Sequence, residues 1–202
     1  MATLPFRDRD DAAWQLAAAL AHLRGTHPVV LAIPRGAVPM ARIVADALGG
    51  ELDVVLVRKL GAPGNPEYAI GAVDERGNVM LNEQAAWAGA DREFIRREAG
   101  EQLALIRERR GRYRPGQPPV ALAGRAVIVL DDGLATGATM IAALKAARAE
   151  NPSLLVCAVP VAARSSLAQV AKIADEVVCV ATPEPFHAVG LYYRDFNEVG
   201  DA

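Results

Sequence analysis

Five short apolar runs constrain the fold of this chain more than any other feature of its sequence. They lie at residues 29–33, 52–57, 125–130, 154–160 and 176–181. Apolar and polar residues do not alternate within them, which is typical of strands buried on both faces. Stretches of helical composition separate the runs. The sequence therefore predicts an α/β fold with a doubly wound, mainly parallel five-stranded sheet and helices on both faces.

The composition favours one globular domain. The chain has 202 residues, of which 52% are hydrophobic and 23% charged. A net charge of −2 does not provide the basic surface that broad nucleic-acid binding needs. Cys157 and Cys179 lie in Val-rich runs typical of buried thiols and cannot build a disulfide framework. No apolar run reaches the roughly 18–20 residues of a membrane span, and residues 1–13 lack the order of a signal peptide. We therefore expect a cytoplasmic protein without membrane partners.

The middle of the chain has a different character. The sequence around Arg76-Gly77-Asn78 predicts a hairpin. Residues 91–114 hold eight arginines and five acidic residues together with an apolar stripe, which predicts a long, solvated helix. We therefore predict a single domain over residues 1–202, with a helical insertion at about 82–119 and a small C-terminal hood at about 182–202.

Three unusual segments each follow a predicted strand. They are PRGAVP at 34–39, RKLGAPGNPEYAIG at 58–71 and DDGLATGAT at 131–139. Ligands of open parallel sheets bind beyond the carboxyl ends of the strands. The predicted fold brings all three segments to that edge, and this convergence indicates a ligand site.

The segment 127–140, VIVLDDGLATGATM, has the chemistry of a sugar-phosphate site. A predicted strand delivers Asp131 and Asp132, and small residues and threonines follow before the next helix. Backbone N–H groups at a helix N-terminus bind phosphate, and Thr hydroxyls add donors. The carboxylates suit sugar hydroxyls or a metal ion, so we expect a ribose 5-phosphate. The alternative is a strand end whose acids cap the next helix and whose small residues serve packing.

This segment resembles the 5-phosphoribosyl 1-diphosphate (PRPP) signature of the type I phosphoribosyltransferases. Four apolar residues, two acids and a loop of small residues and threonines match it nearly position by position. Gly133 departs from the pattern, because the family more often has an aliphatic residue or Ser there. The resemblance covers most of the chain apart from the Arg-rich segment. It implies PRPP binding by Gly133, Ala135, Thr136, Gly137, Ala138 and Thr139.

By the same resemblance, IPRGAVP matches the family's pyrophosphate loop. This implies diphosphate contacts from Arg35 and Gly36, and a cis peptide bond between Pro34 and Arg35. The alternative for this segment is a simple turn from strand to helix.

Residues 57–73 match the position of the family's flexible catalytic loop. Their glycines and prolines predict an irregular segment that closes over the diphosphate, with Arg58 and Lys59 as catalytic cations. Neighbouring side chains on a strand point to opposite faces, so one of these two cations is expected to be structural if the strand continues this far.

The C-terminal residues are rich in aromatic side chains, in a chain that is only 5% aromatic. They resemble the hood of purine-type phosphoribosyltransferases, which implies base binding by Phe186 and Tyr192. The resemblance also implies that Asp195 joins Asp131 and Asp132 in holding a metal. The alternative is that these aromatic residues anchor the tail to the core.

The resemblance implies an enzyme that transfers the 5-phosphoribosyl group from PRPP to a nucleobase, with a purine as first choice. Asp131, Asp132, Arg58 and Lys59 would be catalytic, Mg²⁺ would be the cofactor, and a homodimer is expected. Purine enzymes of the family usually present a Lys after the fourth core strand, where this chain offers Arg164. The alternative function is a PRPP-sensing regulator that binds RNA or DNA through residues 91–114, whose net charge is 8 − 5 = +3.

Overall fold

The computed structural model describes residues 4–200 and divides the chain into two compact units. The first unit comprises Met1–Val55 and Pro119–Ala202, and the second comprises Leu56–Pro118. In chain order the strands are β1 (Val29–Ala32), β2 (Glu51–Val54), β3 (Val57–Ala62), β4 (Asn65–Asp74), β5 (Val79–Leu81), β6 (Ala126–Leu130), β7 (Leu154–Val161) and β8 (Glu176–Ala181). The α-helices are α1 (Arg9–Ala19), α2 (Ala37–Leu48), α3 (Gln84–Trp87), α4 (Arg92–Tyr113), α5 (Ala138–Arg148) and α6 (Arg164–Val170).

The first unit contains the predicted five-stranded sheet. Its strands run in the order β2-β1-β6-β7-β8, and every neighbouring pair is parallel. All residues of β1 and β6 are buried, as expected for central strands covered on both faces. Helices α1, α2 and α5 pack against this sheet. The predicted α/β class is confirmed.

Local chemistry sets the ends of the helices in this unit. Asp8 precedes α1, and its carboxylate accepts a hydrogen bond of 2.8 Å from the Asp11 N–H, which satisfies a free helix donor. Gly49 follows α2 with φ of +67°, a left-handed conformation that glycine adopts without a steric penalty.

The second unit holds an antiparallel sheet, β3-β4-β5, with α4 packed against β3 and β4. The predicted hairpin is present, and Asp74 accepts hydrogen bonds from the N–H groups of Arg76 and Asn78 at its turn. The predicted long helix is α4, which begins after Asp91 and buries Ala99 and Ile106. This unit begins before the insertion predicted at about residue 82, because β3 and β4 pair with each other and not with the parallel sheet.

The prediction of an irregular segment at residues 57–73 is wrong. Most of the segment forms the β3–β4 hairpin, whose register shifts around Gly61. A Cβ atom on Gly61 would lie 2.7 Å from the Cα of Pro66, and Gly64 has φ of +72° in the turn. The glycines therefore allow close strand approach and a tight turn. The second apolar run is also split, because β2 ends at Val54 and Val57 begins β3.

Within residues 4–200, no helix combines the length and the apolar composition needed to cross a membrane.

Candidate active site

The loop after β6 is anchored by its buried residues and exposes small residues and threonines. Gly133, Leu134 and Gly137 are buried, and the Leu134 N–H donates a hydrogen bond of 2.9 Å to the Val161 carbonyl at the end of β7. Four predicted PRPP-binding residues are exposed, namely Ala135, Thr136, Ala138 and Thr139. The loop therefore leaves these residues accessible to a ligand.

The loop leads directly into the N-terminus of α5. Gly137 precedes the helix with φ of +80°, and no side chain caps the helix there. The buried Ser166 hydroxyl donates a hydrogen bond to the Ala135 carbonyl and so ties the loop to α6. The first N–H groups of α5 thus carry the partial positive charge of an 11-residue helix next to exposed threonines. This arrangement suits an anion such as a phosphate.

Asp131 and Asp132 lie at the carboxyl end of β6 in contrasting surroundings. Oδ1 of Asp131 accepts a hydrogen bond of 2.8 Å from the Asp132 N–H. Burial and the neighbouring Asp132 charge raise the pKa of the Asp131 carboxyl well above its ordinary value. Asp132 instead pairs with Arg9, whose Nε and Nη2 lie 3.0 and 2.9 Å from its Oδ2. Asp132 is therefore paired with a cation, whereas Asp131 beside it is buried and has a raised pKa.

A cavity of about 390 Å³ opens beside Asp132 in the first unit. It brings together three residues predicted from the sequence: Arg35, Gly36 and Asp132. Its remaining lining comes from the N-terminal helix and the C-terminal residues, namely Arg9, Val189, Phe196, Glu198 and Val199. The Pro34–Arg35 peptide bond is cis, as the resemblance implied.

Two glycines at this site are explained by close contacts. A Cβ atom on Gly36 would lie 2.2 Å from Oδ2 of Asp132, so the glycine allows the carboxylate to approach the loop after β1. A Cβ atom on Gly133 would lie 2.4 Å from Cγ1 of Val189. The departure from the family pattern at Gly133 therefore makes room for a hood residue.

The hood aromatics divide into an anchor and an outer pair. Tyr193 is buried, its ring lies 5.4 Å from that of Phe6, and its hydroxyl donates a bond of 2.5 Å to the Asp132 carbonyl. Burial raises the pKa of the Tyr193 hydroxyl, so it remains a donor at neutral pH. The rings of Phe186 and Tyr192 contact each other, with centroids 5.1 Å apart and planes tilted by 34°. Anchoring thus accounts for Tyr193, while base binding by Phe186 and Tyr192 stays a prediction.

The predicted metal ligands do not form a metal cage of protein side chains. No group of three or more His, Cys, Asp or Glu side chains in residues 4–200 is arranged to hold a metal. Asp195 accepts hydrogen bonds from both the N–H and the side-chain amide of Asn197. Mg²⁺ often binds through only one or two carboxylates together with substrate phosphates, so the chemistry of Asp131 and Asp132 fits such an ion.

The predicted catalytic cations lie in the second unit, on β3. Nε of Arg58 donates a hydrogen bond of 2.6 Å to the Gln102 side chain on α4, and it is half-buried. Lys59 is exposed and lies 3.0 Å from the Glu67 carboxylate on β4. The alternation along the strand therefore gives Arg58 a structural contact and leaves Lys59 accessible.

Sequence reasoning missed Arg9 and Tyr193, which contact Asp132, and Phe196, which lies against Arg9. Arg9 stands in RDRDDAA, a pattern that indicates only the start of a helix, and its partner Asp132 is 123 residues away. Tyr193 and Phe196 were recognisable as aromatic residues of the hood. Nothing in their spacing indicates a contact with the acidic loop.

Comparison with known proteins identifies the family of this chain. The family model described as the phosphoribosyl transferase domain matches residues 6–195. Proteins from two strains of Mycobacterium tuberculosis, provisionally named phosphoribosyl transferases, are 46% identical over 198 residues, which is 97% of this chain and 44% of theirs. The chain thus spans about half the length of these curated relatives.

The crystal structure of TT1426 from Thermus thermophilus is also similar. It has a TM-score of 0.87 and 51% sequence identity, and the match covers 97% of this chain and 93% of that one. Taken with the match over residues 6–195, these similarities establish that the chain belongs to the phosphoribosyl transferase family.

Proposed function

We propose that this protein transfers the 5-phosphoribosyl group of PRPP to a nucleobase and releases pyrophosphate. The main support is the loop after β6, which begins with two carboxyls at the end of the strand and leads into the uncapped N-terminus of α5. A phosphorylated sugar has complementary chemistry, because it carries an anion at one end and a diol at the other. Family membership supports the reaction class.

Different parts of the two loops after β6 and β1 bind different groups of PRPP in this proposal. Thr136, Thr139 and the N–H groups around Gly137 bind the 5-phosphate, since all are donors near a helix N-terminus. Asp131 and Asp132 accept hydrogen bonds from the ribose hydroxyls. Arg35 and the backbone at Gly36 bind the diphosphate, and Arg35 is exposed at the rim of the cavity.

Mg²⁺ fits this proposal as a cofactor that the carboxyls of Asp131 and Asp132 would hold together with the substrate. When bound, it acts as a Lewis acid that stabilises charge on the diphosphate. Asp195 stays a proposed contributor to that site.

The reaction forms a bond from a base nitrogen to C1 of the ribose and breaks the bond from C1 to the diphosphate oxygen. Positive charge develops on the ribose and negative charge on the leaving group, so preorganised charges of both signs lower the barrier. Asp131 and Asp132 face the ribose, and Arg35 serves the leaving group. A catalytic role for Lys59, the exposed cation of β3, stays a separate proposal. One of the two acids accepts the proton that the base nitrogen loses.

A purine is the proposed acceptor. Phe186 and Tyr192 provide an aromatic surface in the hood, and a purine has the larger face for stacking. Arg164 stands where purine enzymes of the family usually have Lys, and its Nε lies 2.9 Å from the exposed carboxylate of Glu184. A base that displaces Glu184 from this guanidinium gains a hydrogen-bond donor for an oxo group.

The test is a panel of purine and pyrimidine bases incubated with the protein, PRPP and MgCl₂, with pyrophosphate release as the measurement. Release with one base, accompanied by its nucleotide, supports the proposal. Tight PRPP binding without turnover on any base contradicts it and favours the regulator, which salt-dependent binding of RNA or DNA would then establish. Homodimer formation and cytoplasmic location stay proposals, and light scattering of the purified protein tests the first.

A further inference from the structure

We propose that Arg9 is a positioning residue that fixes the carboxylate of Asp132 and holds the C-terminal residues Phe196 and Asn197 beside it. This inference rests on the proposed function in one respect, namely that Asp132 contacts the ribose. We call the contacts of Arg9 with Asp132, Phe196 and Asn197 the clamp. All of them lie in the first unit, so the clamp can be tested without a ligand.

The guanidinium of Arg9 meets Asp132 in a forked arrangement. Nε and Nη2 donate hydrogen bonds of 3.0 and 2.9 Å to the same oxygen, Oδ2. Two charge-assisted bonds from a planar group hold Oδ2 in one place relative to the guanidinium. The structure shows no hydrogen bond to Oδ1 among residues 4–200, so the fork leaves that oxygen for a ligand hydroxyl.

The same guanidinium contacts the hood on its remaining sides. Nη1 donates a hydrogen bond of 2.6 Å to the Asn197 carbonyl. The Phe196 ring lies against its face, with Cζ of Arg9 3.9 Å from the ring centroid, a distance typical of a cation–π contact. All three nitrogens and one face of the group are therefore in use, which ties the hood to the acidic loop.

Burial of both side chains strengthens the attraction between Arg9 and Asp132. The side chains of Arg9 and Asp132 are only 13% and 17% exposed, so solvent screens their attraction less than that of a surface pair. Asp132 also lies beside Asp131, and a second carboxylate there raises the free energy of the ionised pair. Arg9 places a positive charge 2.9 Å from Oδ2 of Asp132, on the side of this carboxylate that its two hydrogen bonds occupy.

The neighbouring glycine is consistent with this role. Because a Cβ atom on Gly36 would collide with Oδ2 of Asp132 and would lie 3.2 Å from Nη2 of Arg9, only glycine leaves room for the pair at this point. The loop after β1, the loop after β6 and the hood therefore meet at one guanidinium.

The first experiment measures the dissociation constant of PRPP with Mg²⁺ and the separate values of kcat and KM. We expect Arg9→Ala to weaken PRPP binding by about 10- to 100-fold, the range for a hydrogen bond to a charged group. Arg9→Lys keeps the charge but loses the fork, so its loss is intermediate. Arg7→Ala is the matched control, because the Arg7 side chain is 72% exposed and pairs with Asp8.

A double-mutant cycle tests whether Arg9 acts through Asp132. In the Asp132→Asn background, Arg9→Ala is expected to change PRPP binding by less than about 3-fold, because the interaction is already lost. Losses that multiply in the double variant contradict the positioning role, as does an Arg9→Ala variant that binds PRPP like the wild type. Circular dichroism verifies that each variant is folded.

Limited trypsin digestion tests the clamp without any ligand. Arg194 is exposed one residue after the buried Tyr193, and we expect Arg9→Ala to speed cleavage after Arg194 several-fold, measured by mass spectrometry. Unchanged cleavage there overturns the clamp. A wild-type protein that fails to bind PRPP contradicts the proposed function and the ribose role of Asp132, and the digestion result still decides whether Arg9 holds the hood.

Discussion

The two units of this protein bury their strands to different degrees. In the first unit, every residue of the central strands β1 and β6 is buried. In the second unit, the first five residues of β4 are exposed, and so are both ends of β5. The first unit thus carries its site on a rigid apolar sheet, whereas the second depends on glycine-mediated strand contacts and one long polar helix. This contrast leads us to expect units of different local stability.

The largest expected effect comes from a cavity in the parallel sheet. Ile128 on β6 is fully buried, and Ile128→Ala is expected to lower the free energy of unfolding by about 2–5 kcal/mol. Ile70→Ala on β4 is the counterpart in the second unit, since Ile70 is also fully buried. Hydrogen exchange followed strand by strand shows where each variant loses protection.

We expect Ile128→Ala to lower protection mainly in β1, β6 and β7, and Ile70→Ala mainly in β3 and β4. Equal loss of protection in both units from either substitution would contradict the contrast between them, because the chain would then unfold as a single cooperative body.

The next effect concerns activity in the first unit. Asp132→Asn keeps the size of the side chain but removes the charge that faces Arg9. We expect the fold to be retained and turnover with PRPP and an accepted base to fall about 100- to 1,000-fold. Asp46→Asn is the control, because Asp46 is exposed on α2 and its side chain pairs with Arg42 one turn away. Near-normal turnover of the Asp132 variant would show that the acidic loop is not the reacting centre.

Substituting one glycine in each unit by alanine compares how much stability each unit loses when a methyl group is added. Gly133→Ala directs Cβ at the Val189 side chain, and Gly71→Ala directs it at the Met80 backbone carbonyl, each at 2.4 Å. Both are expected to cost about 1–3 kcal/mol of stability in thermal or urea unfolding. Adding Val189→Ala to the Gly133→Ala variant is expected to restore most of the lost stability, since it removes the opposing methyl groups.

Shortening the Met80 side chain is expected to give no rescue of Gly71→Ala, since the obstacle there is backbone. If the Met80 substitution restored the stability of Gly71→Ala, or if Val189→Ala failed to restore that of Gly133→Ala, the distinction would be wrong. The site would then not be limited by side-chain packing, or the hairpin by main-chain packing.

What could be predicted from sequence depends on how local the signal is. The parallel strands, the hairpin at Arg76-Gly77-Asn78 and helix α4 were predictable because their apolar runs, turn residues and charge pattern lie within each segment. The β3–β4 hairpin was missed because Gly61 and Gly64 serve close approach there, which composition alone does not distinguish from irregular structure. The Arg9–Asp132 pair was missed because it joins residues 123 positions apart, and only the assembled sheet brings them together.

The smallest expected effect depends on pH and concerns the edge of the parallel sheet. Asp175 precedes β8, and hydrogen bonds from the Arg148 side chain and the Leu155 N–H, both 2.8 Å, lower the pKa of its carboxyl. A group with a lowered pKa in the folded state binds fewer protons there than in the unfolded chain. Its contribution to stability is therefore complete above the ordinary Asp pKa of about 3.9 and is lost as the pH falls through the lowered value.

Because the Asp175 and Arg148 side chains are 43% and 38% exposed, we expect the pair to contribute only about 0.2–1 kcal/mol. Asp175→Asn should lower stability by that amount at pH 7 and by progressively less below about pH 4, as measured by urea unfolding. Hydrogen exchange at pH 7 should locate the loss in β7 and β8, while β3 and β4 serve as the internal control. A difference that persists unchanged once the pH has fallen below the lowered pKa of Asp175 would assign the loss to packing, because the carboxyl is then protonated and accepts no charge-assisted hydrogen bond.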